Sequence, residues 1–265
     1  MKTRFKSRIT LLCGVLTLVF FPLWAQKPKT QKEADALQAL QATMAAKPAD
    51  VDAQVKAIEN VLTNFADTEY KVALLQVAMQ LESQKGDFAQ TTFYAERLLE
   101  ADPKNVFAFV TLASETARHT REFDLDKEEK LVKADKWAKA GIEAAKTMPK
   151  PNPAMTDDQL EALRKDLQSQ AYTAMGMNAA LRKKNDDAIA NFKLANEVAA
   201  TPDATIWVRL GQAYMDSGKL DEAGAAFDKA MNDPSATAQI KEIVQSKKAQ
   251  LAAKKGGGGH SEPRP

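Results

Sequence analysis

The most constraining feature of this 265-residue chain is an internal repeat near its C-terminal end. Residues 169–203 resemble residues 204–237, because small and aromatic residues recur at a single offset of 35 positions. Each unit holds two stretches of helical periodicity joined by a turn. A repeat of this length and content predicts helical hairpins that stack on one another. The matching pairs are Gly176 and Gly211, Ala188 and Ala223, Phe192 and Phe227, and Ala195 and Ala230.

Proline positions indicate that the rest of the chain is helical as well. Prolines stand between the apolar-periodic stretches rather than within them, as expected at helix ends because proline lacks an amide hydrogen. No stretch alternates between apolar and polar residues as a strand does. The sequence therefore predicts an all-α fold, with one long helix from Asp157 to about Lys183. The separating prolines are Pro48, Pro103, Pro149, Pro202 and Pro234.

The small residues of the repeat have a mechanical role in this interpretation. Two helices cross closely only where the side chains between them are small, since the distance between helix axes follows side-chain size. We therefore expect Gly211 to face Ala223 in the last hairpin, and Gly176 to face Ala188 in the hairpin before it. The aromatic residues are expected to fill the space between neighbouring hairpins.

The spacing of these residues resembles the tetratricopeptide repeat. The motif is clearest in the last unit, and the preceding unit carries the same pattern at Gly176, Ala188 and Phe192. The resemblance implies a right-handed α-α superhelical solenoid of stacked hairpins. It also implies that the first helix of each hairpin lines a concave surface that receives peptides or helices. The motif residues of the last unit are Trp207, Leu210, Gly211, Tyr214, Gly218, Ala223, Phe227 and Ala230.

The strength of the resemblance divides the chain into segments. The spacing from Ala113 to Ala134 exceeds that from Gly211 to Ala223 by nine residues, which predicts an insertion that extends the turn around Arg121–Asp126. The expected organisation is a signal peptide at 1–25, a degenerate helical hairpin at 26–66, two divergent repeats at 67–149 (the second with the insertion), a long helix and two clear repeats at 150–237, a capping helix at 238–255 and a disordered tail at 256–265.

The first 25 residues have the layout of a secretory signal peptide. Four basic residues precede an uncharged, largely apolar run from Ile9 to Phe21, which Pro22 ends shortly before Ala25. Cleavage after Ala25 would change the net charge from +2 to −2 and remove Cys13, the only cysteine. The expected location is extracytoplasmic, periplasmic or secreted. The alternatives are an uncleaved membrane anchor, although 13 residues are few for a span, and lipid modification of Cys13.

Composition excludes several classes of function. Lys plus Arg number 37 and Asp plus Glu 35, a balance that argues against nucleic-acid binding. One cysteine and two histidines are too few for a Cys/His metal site or a Cys/His nucleophile pair. Glu115 and His119 lie four residues apart on a helix, but no further ligand is near them in sequence. We therefore expect no cofactor, no metal and no catalytic residue.

Helical periodicity predicts which side chains line the concave surface. Most of them are polar and neutral, and Arg118 and Arg209 are the only basic ones. Some relatives grip a chain-terminal carboxylate with several Lys, Arg and Asn residues, a mode that two arginines do not favour. Our hypothesis at this stage is recognition of a neutral segment by the amides of three glutamines, with a merely solvated face as the alternative. The predicted groove residues are Gln76, Gln80, Gln84, Thr111, Ser114, Arg118, Thr173, Met177, Leu181, Arg209, Gln212 and Asp216.

The sequence thus predicts a non-catalytic scaffold for protein–protein interaction outside the cytoplasm, with a protein or peptide as its partner. Contact with a membrane is expected only through the signal segment during export. The alternative function is a membrane-anchored component of envelope assembly or transport that retains its N-terminal segment. An enzyme would require clustered acid and base groups that the sequence does not provide.

Overall fold

The computed structural model describes residues 27–257, which contain eleven α-helices and no strand. The predicted signal peptide and most of the predicted tail lie outside these residues. Successive helices pair into antiparallel hairpins, which confirms the predicted all-helical fold of stacked hairpins. The helices are α1 Gln31–Ala45, α2 Val51–Asn64, α3 Lys71–Lys85, α4 Phe88–Ala101, α5 Val106–His119, α6 Lys127–Thr147, α7 Asp157–Leu181, α8 Asn185–Val198, α9 Ala204–Asp216, α10 Leu220–Asn232 and α11 Ala238–Gly257.

The described residues form two compact units. The first comprises residues 27–108 and 149–156, and its core includes buried apolar side chains from α1, α2, α3 and α4. Ile58, Leu75 and Ala78 are fully buried there. The start of this unit is held by the buried carboxylate of Glu33, which accepts hydrogen bonds from the Lys29 amide and the Thr68 hydroxyl, each at 2.6 Å. The periodic apolar faces of these helices therefore close a core of their own.

The second unit comprises residues 109–148 and 157 onward, and it contains the clear repeats. Two of its hairpins, α7–α8 and α9–α10, each hold a close contact between a glycine and the ring of a phenylalanine. A Cβ atom placed on Gly211 would lie 2.5 Å from the ring of Phe227, and one on Gly176 would lie 2.6 Å from the ring of Phe192. Each glycine therefore makes room for an aromatic ring of its own hairpin, a contact that the residue spacing did not predict.

The other aromatic residues of the motif do pack between hairpins. Trp207 and Tyr214 are partly buried, and each contacts both of the hydrophobic clusters that the last hairpins form. Gly218 closes its turn with a φ of +74°, a left-handed geometry that glycine adopts without steric cost. Lys183, 35 residues earlier, adopts the same geometry with a φ of +59° although it has a side chain. The repeat geometry thus holds even where the favoured residue is missing.

The insertion is divided between a link and a helix. Seven residues, 120–126, connect α5 to α6, whereas three connect α7 to α8 and three connect α9 to α10. In addition, Ala134 is the eighth residue of α6, while Ala188 and Ala223 are the fourth residues of their helices. About half of the extra residues therefore form one more helical turn, which corrects the expectation of a longer turn alone. Acidic residues at the start of α6 favour this helical turn through the helix dipole.

Two predicted boundaries can be compared with the structure directly. The long helix α7 begins at Asp157 as expected and ends at Leu181, two residues before the expected end. The capping helix α11 continues to Gly257, two residues beyond the predicted end at 255.

Ion pairs repeat at the junctions between hairpins. In α2, α6, α8 and α10, each the second helix of its hairpin, the residue after the first one is acidic. It pairs with a basic residue near the end of the helix that opens the following hairpin, or in the link after that helix. In α4 this position is occupied by Ala89. These pairs link the start of one hairpin's second helix to the following hairpin. They are Asp52–Lys85 at 2.5 Å, Glu128–Arg182 at 2.9 Å, Asp186–Lys219 at 2.7 Å and Asp221–Lys255 at 2.6 Å.

From these ion pairs we expect the stability of the folded chain to fall at acid pH. Hydrogen bonds from Arg182, Lys219 and Lys255 lower the pKa of Glu128, Asp186 and Asp221, respectively. Because the folded pKa lies below the unfolded one, the unfolded state binds more protons in this range. The stabilisation is therefore complete above the unfolded pKa of about 4 and is lost as the pH falls through the folded pKa.

The measurement is the melting temperature between about pH 3 and pH 6, a range that brackets the ordinary carboxyl pKa. We expect a fall towards the acid end, and a shallower fall for Asp186→Asn. The control is Asp187→Asn, which makes the same change of charge at a neighbouring carboxylate that forms no ion pair with any described residue. Equal slopes for the two variants would show that the Asp186–Lys219 pair does not contribute.

Candidate functional site: a cavity along the first helices of the second unit

A cavity of about 370 Å³ lies along the first helices of the second unit. The helices α5, α7 and α9 contribute most of its wall, because side chains three or four residues apart on each helix point in the same direction. The link between α5 and α6 supplies part of the rim. The lining residues are Ala117, Arg118, Thr120, Glu122, Met177, Ala180, Leu181, Lys183, Phe192, Arg209, Gln212, Ala213 and Asp216.

Six of the twelve predicted groove residues line this cavity: Arg118, Met177, Leu181, Arg209, Gln212 and Asp216. Three others belong to the same helices but lie outside the cavity. Thr111 and Ser114 are half-buried on α5, and the hydroxyl of Thr173 donates to the Ser169 carbonyl at 2.9 Å. The structure thus brings together the residues near the C-terminal ends of α5, α7 and α9.

The three predicted glutamines belong to α3 of the first unit and differ in their exposure. Gln84 is exposed and Gln76 is half-buried, but Gln80 is only 5% exposed and its Oε1 atom accepts no hydrogen bond from any described residue. The expectation of an open row of three amides is therefore corrected at Gln80. Its burial removes the central member of that row.

Some lining residues were missed by the sequence analysis. Ala180 and Ala213 are the helical neighbours of the predicted Met177 and Arg209, so extending the periodic pattern by three or four residues would have found them. Thr120 and Glu122 belong to the inserted link, where no periodicity points to a surface. Lys183 follows the end of α7, and its left-handed backbone was not foreseen.

Most charged groups of the cavity are already paired. The Lys183 ammonium lies 2.6 Å from Glu122, and the Arg118 guanidinium lies 3.0 Å from Glu115 on its own helix. The Gln212 amide donates to Asp216 at 2.8 Å. Arg209 is the exception, because its guanidinium forms neither a hydrogen bond nor an ion pair within residues 27–257.

Arg209 also lies in an environment that disfavours its charge. It is half-buried, and burial lowers the pKa of its guanidinium, with a further lowering from the positive charge of Arg118. The carboxylate of Asp203 acts in the opposite direction and is outweighed. Arginine remains protonated at physiological pH nevertheless. Arg209 is therefore a cation of the cavity that no residue between positions 27 and 257 neutralises by a hydrogen bond or an ion pair.

His119, near the end of α5, is the other titratable group considered in the sequence analysis. His119 lies 3.0 Å from the Glu115 carbonyl through Nδ1 and 3.4 Å from the Glu115 carboxylate. Within residues 27–257, no group of three or more His, Cys, Asp or Glu side chains is placed to hold a metal ion. Among the helices of this range, none combines the length and hydropathy that a bilayer-spanning segment needs.

Comparisons with known proteins identify the class of fold. The tetratricopeptide repeat family matches residues 204–232, the hairpin formed by α9 and α10. No curated protein matches the chain by sequence. The match covers one hairpin of the described chain, where the sequence carries the motif most clearly.

Solved structures show that the fold extends over most of the chain. A thermophilic TPR protein of Thermus thermophilus has 18% identity and a TM-score of 0.53, and the alignment covers 82% of this chain and 99% of that one. The MamA protein has 14% identity and a TM-score of 0.54, with coverage of 88% and 98%. Over the aligned ranges this chain therefore shares the fold of stacked helical hairpins with these proteins.

Proposed function

We propose that this protein is a non-catalytic scaffold that binds a peptide segment or helix of a partner protein along the first helices of its second unit. The observation that carries the proposal is the cavity formed by α5, α7 and α9. It lies on the side where successive first helices adjoin, its walls include the apolar side chains of Met177 and Leu181, and it retains an unpaired cation. A segment of another protein supplies both apolar contact and hydrogen-bonding groups to such a surface.

We further propose that the protein acts outside the cytoplasm. The support is the sequence of residues 1–25, with its basic start, its apolar run and the small residue Ala25. The alternative is that the segment stays uncleaved and anchors an envelope-assembly or transport component. Intact mass of the protein from its native host separates the two, because an N-terminus at Gln26 excludes the anchor and an intact Met1 excludes cleavage.

The binding proposal is tested by selection from a random peptide library displayed on phage, with the immobilised full chain as the target. We expect peptides that bind the wild-type chain and do not bind Ala180→Trp, in which an indole fills the cavity. Ala180 is exposed, so this change leaves the core intact.

The matched control is Ala225→Trp, which places the same indole on an exposed position of α10 away from the cavity. This variant should bind the selected peptides as the wild type does. Recovery of the same peptides by Ala180→Trp, or of none by the wild-type chain, would contradict peptide binding in this cavity.

A further inference from the structure

We propose that the cavity recognises the carboxylate side chain of an aspartate or glutamate in the bound segment, and that Arg209 is the residue that binds it. This inference rests on the proposed function and specifies the chemistry of the partner. It replaces the hypothesis of a neutral partner segment, which depended on three accessible glutamines.

The first argument is the state of the charges in the cavity. Glu122 is neutralised by Lys183 at 2.6 Å, and Asp216 is held by the Gln212 amide at 2.8 Å. Neither acid pairs with Arg209, although all of these groups line the same space. Within the described part of the chain, the guanidinium therefore stays available to a group of a partner.

The second argument is energetic. The half-buried guanidinium of Arg209 has lost part of its hydration, which lowers its pKa, and it has gained no partner among the described residues in exchange. Arg118 adds to the positive potential at Arg209. The carboxylate of Glu115, which pairs with Arg118, also lies within 3.4 Å of His119. A carboxylate placed against Arg209 would form charge-assisted hydrogen bonds in a partly dehydrated site, where they are stronger than at an open surface.

The third argument concerns the residues on either side of the acid. The walls near Arg209 include Met177, Leu181 and Ala213, which are apolar and partly or fully buried. These side chains form no hydrogen bonds, so they favour contact with apolar side chains of the ligand. The occupant that fits is an internal segment in which an Asp or Glu lies within a few residues of Leu, Met or Phe.

The experiment extends the phage selection with the full chain. Display by the C-terminal end of each peptide removes its terminal carboxylate, so enrichment of acidic residues reports side chains only. We expect Asp or Glu to be enriched next to apolar residues with the wild-type chain, and this enrichment to disappear with Arg209→Met.

The decisive measurement uses the most enriched sequence as a synthetic peptide with both termini blocked. Replacing its acidic residue by the corresponding amide should weaken binding to the wild-type chain at least tenfold, while Arg209→Met should bind both peptides within twofold of each other. Arg121→Met is the matched control, since it removes an exposed arginine that does not line the cavity and should keep the tenfold preference.

The outcomes separate this inference from the proposed function. Peptides that bind in the cavity without acidic residues would overturn the inference and leave the scaffold function standing. Binding only by a peptide with a free C-terminus would show that a chain terminus is the ligand, which also overturns it. Failure of the wild-type chain to select any peptide overturns both. Circular dichroism and thermal melting of Arg209→Met establish that a loss of binding does not come from unfolding.

Discussion

We expect the replacement of Gly211 by leucine to lower the free energy of unfolding by about 3 kcal/mol. The Cβ atom of any other residue would stand 2.5–3.0 Å from three ring atoms of Phe227, whose side chain is fully buried. The ring cannot move away, because Val244 and Ala230 of the same cluster are themselves fully buried. The measurement is chemical denaturation followed by circular dichroism at 222 nm.

Alanine substitutions provide the matched comparison for this prediction. Gly211→Ala introduces the same clash with a single methyl group, so we expect it to destabilise in spite of the better helix propensity of alanine. Gly224→Ala lies in the following helix, where the new Cβ would meet only Leu251 at 3.6 Å, an ordinary contact. This change should stabilise by up to about 1 kcal/mol. If both alanine variants were equally stable, the glycine–phenylalanine contact would not determine the packing of the hairpin.

Replacing Asp135 with alanine has the second largest expected effect, a loss of about 2 kcal/mol. Asp135 on α6 accepts a hydrogen bond from Asn178 at 2.7 Å and another from Arg182 at 2.7 Å. Asn178 is fully buried, and its Oδ1 atom already accepts no hydrogen bond from any described residue. Without Asp135, the Asn178 amide would lose the hydrogen bond that compensates for its burial.

Arg182 strengthens this expectation. Burial acts to lower the pKa of its guanidinium, but hydrogen bonds to Glu128 and Asp135 outweigh burial and raise it. Removal of Asp135 leaves the more exposed Glu128 as its acidic partner. The change therefore breaks the polar contact between α6 and α7 at its most buried point.

The control for Asp135 is Asp228→Ala. Asp228 pairs with Lys248 at 2.6 Å, but both side chains are largely exposed to solvent. Exposed pairs contribute little, so we expect a change within about 0.5 kcal/mol. Denaturation of the two variants under identical conditions tests the argument, and a loss for Asp228→Ala as large as that for Asp135→Ala would contradict the role of burial.

The sequence predicted much of the fold because hairpin formation depends on local patterns. Gly218 occurs where a left-handed turn is needed, and apolar residues three and four positions apart define the face of each helix. For the two helices whose bounds were predicted, α7 and α11, these patterns gave ends within two residues of the observed ones. They did not reveal that Gly211 accommodates the ring of Phe227, since a residue offset does not determine which side chain fills a crossing.

The candidate site was predicted less completely for the same physical reason. Periodicity identifies the side chains that share a face of one helix, and it grouped Arg209, Gln212 and Asp216, which line the cavity. It does not determine whether a charge on that face finds a partner on another helix. Lys183 pairs with Glu122, 61 positions away in another link, whereas Arg209 has no such partner among the residues that the structure describes.

What the sequence by itself determined is the kind of molecule: helices, their pairing into hairpins and the repeat that stacks them. Each of these follows from residues within about 35 positions of one another. Only the tertiary structure decided which side chains meet across hairpins, and therefore where a cavity forms and which of its charges remains free. Those contacts depend on how whole helices pack, because burial and ion pairing act between atoms that are close in space regardless of their separation along the chain.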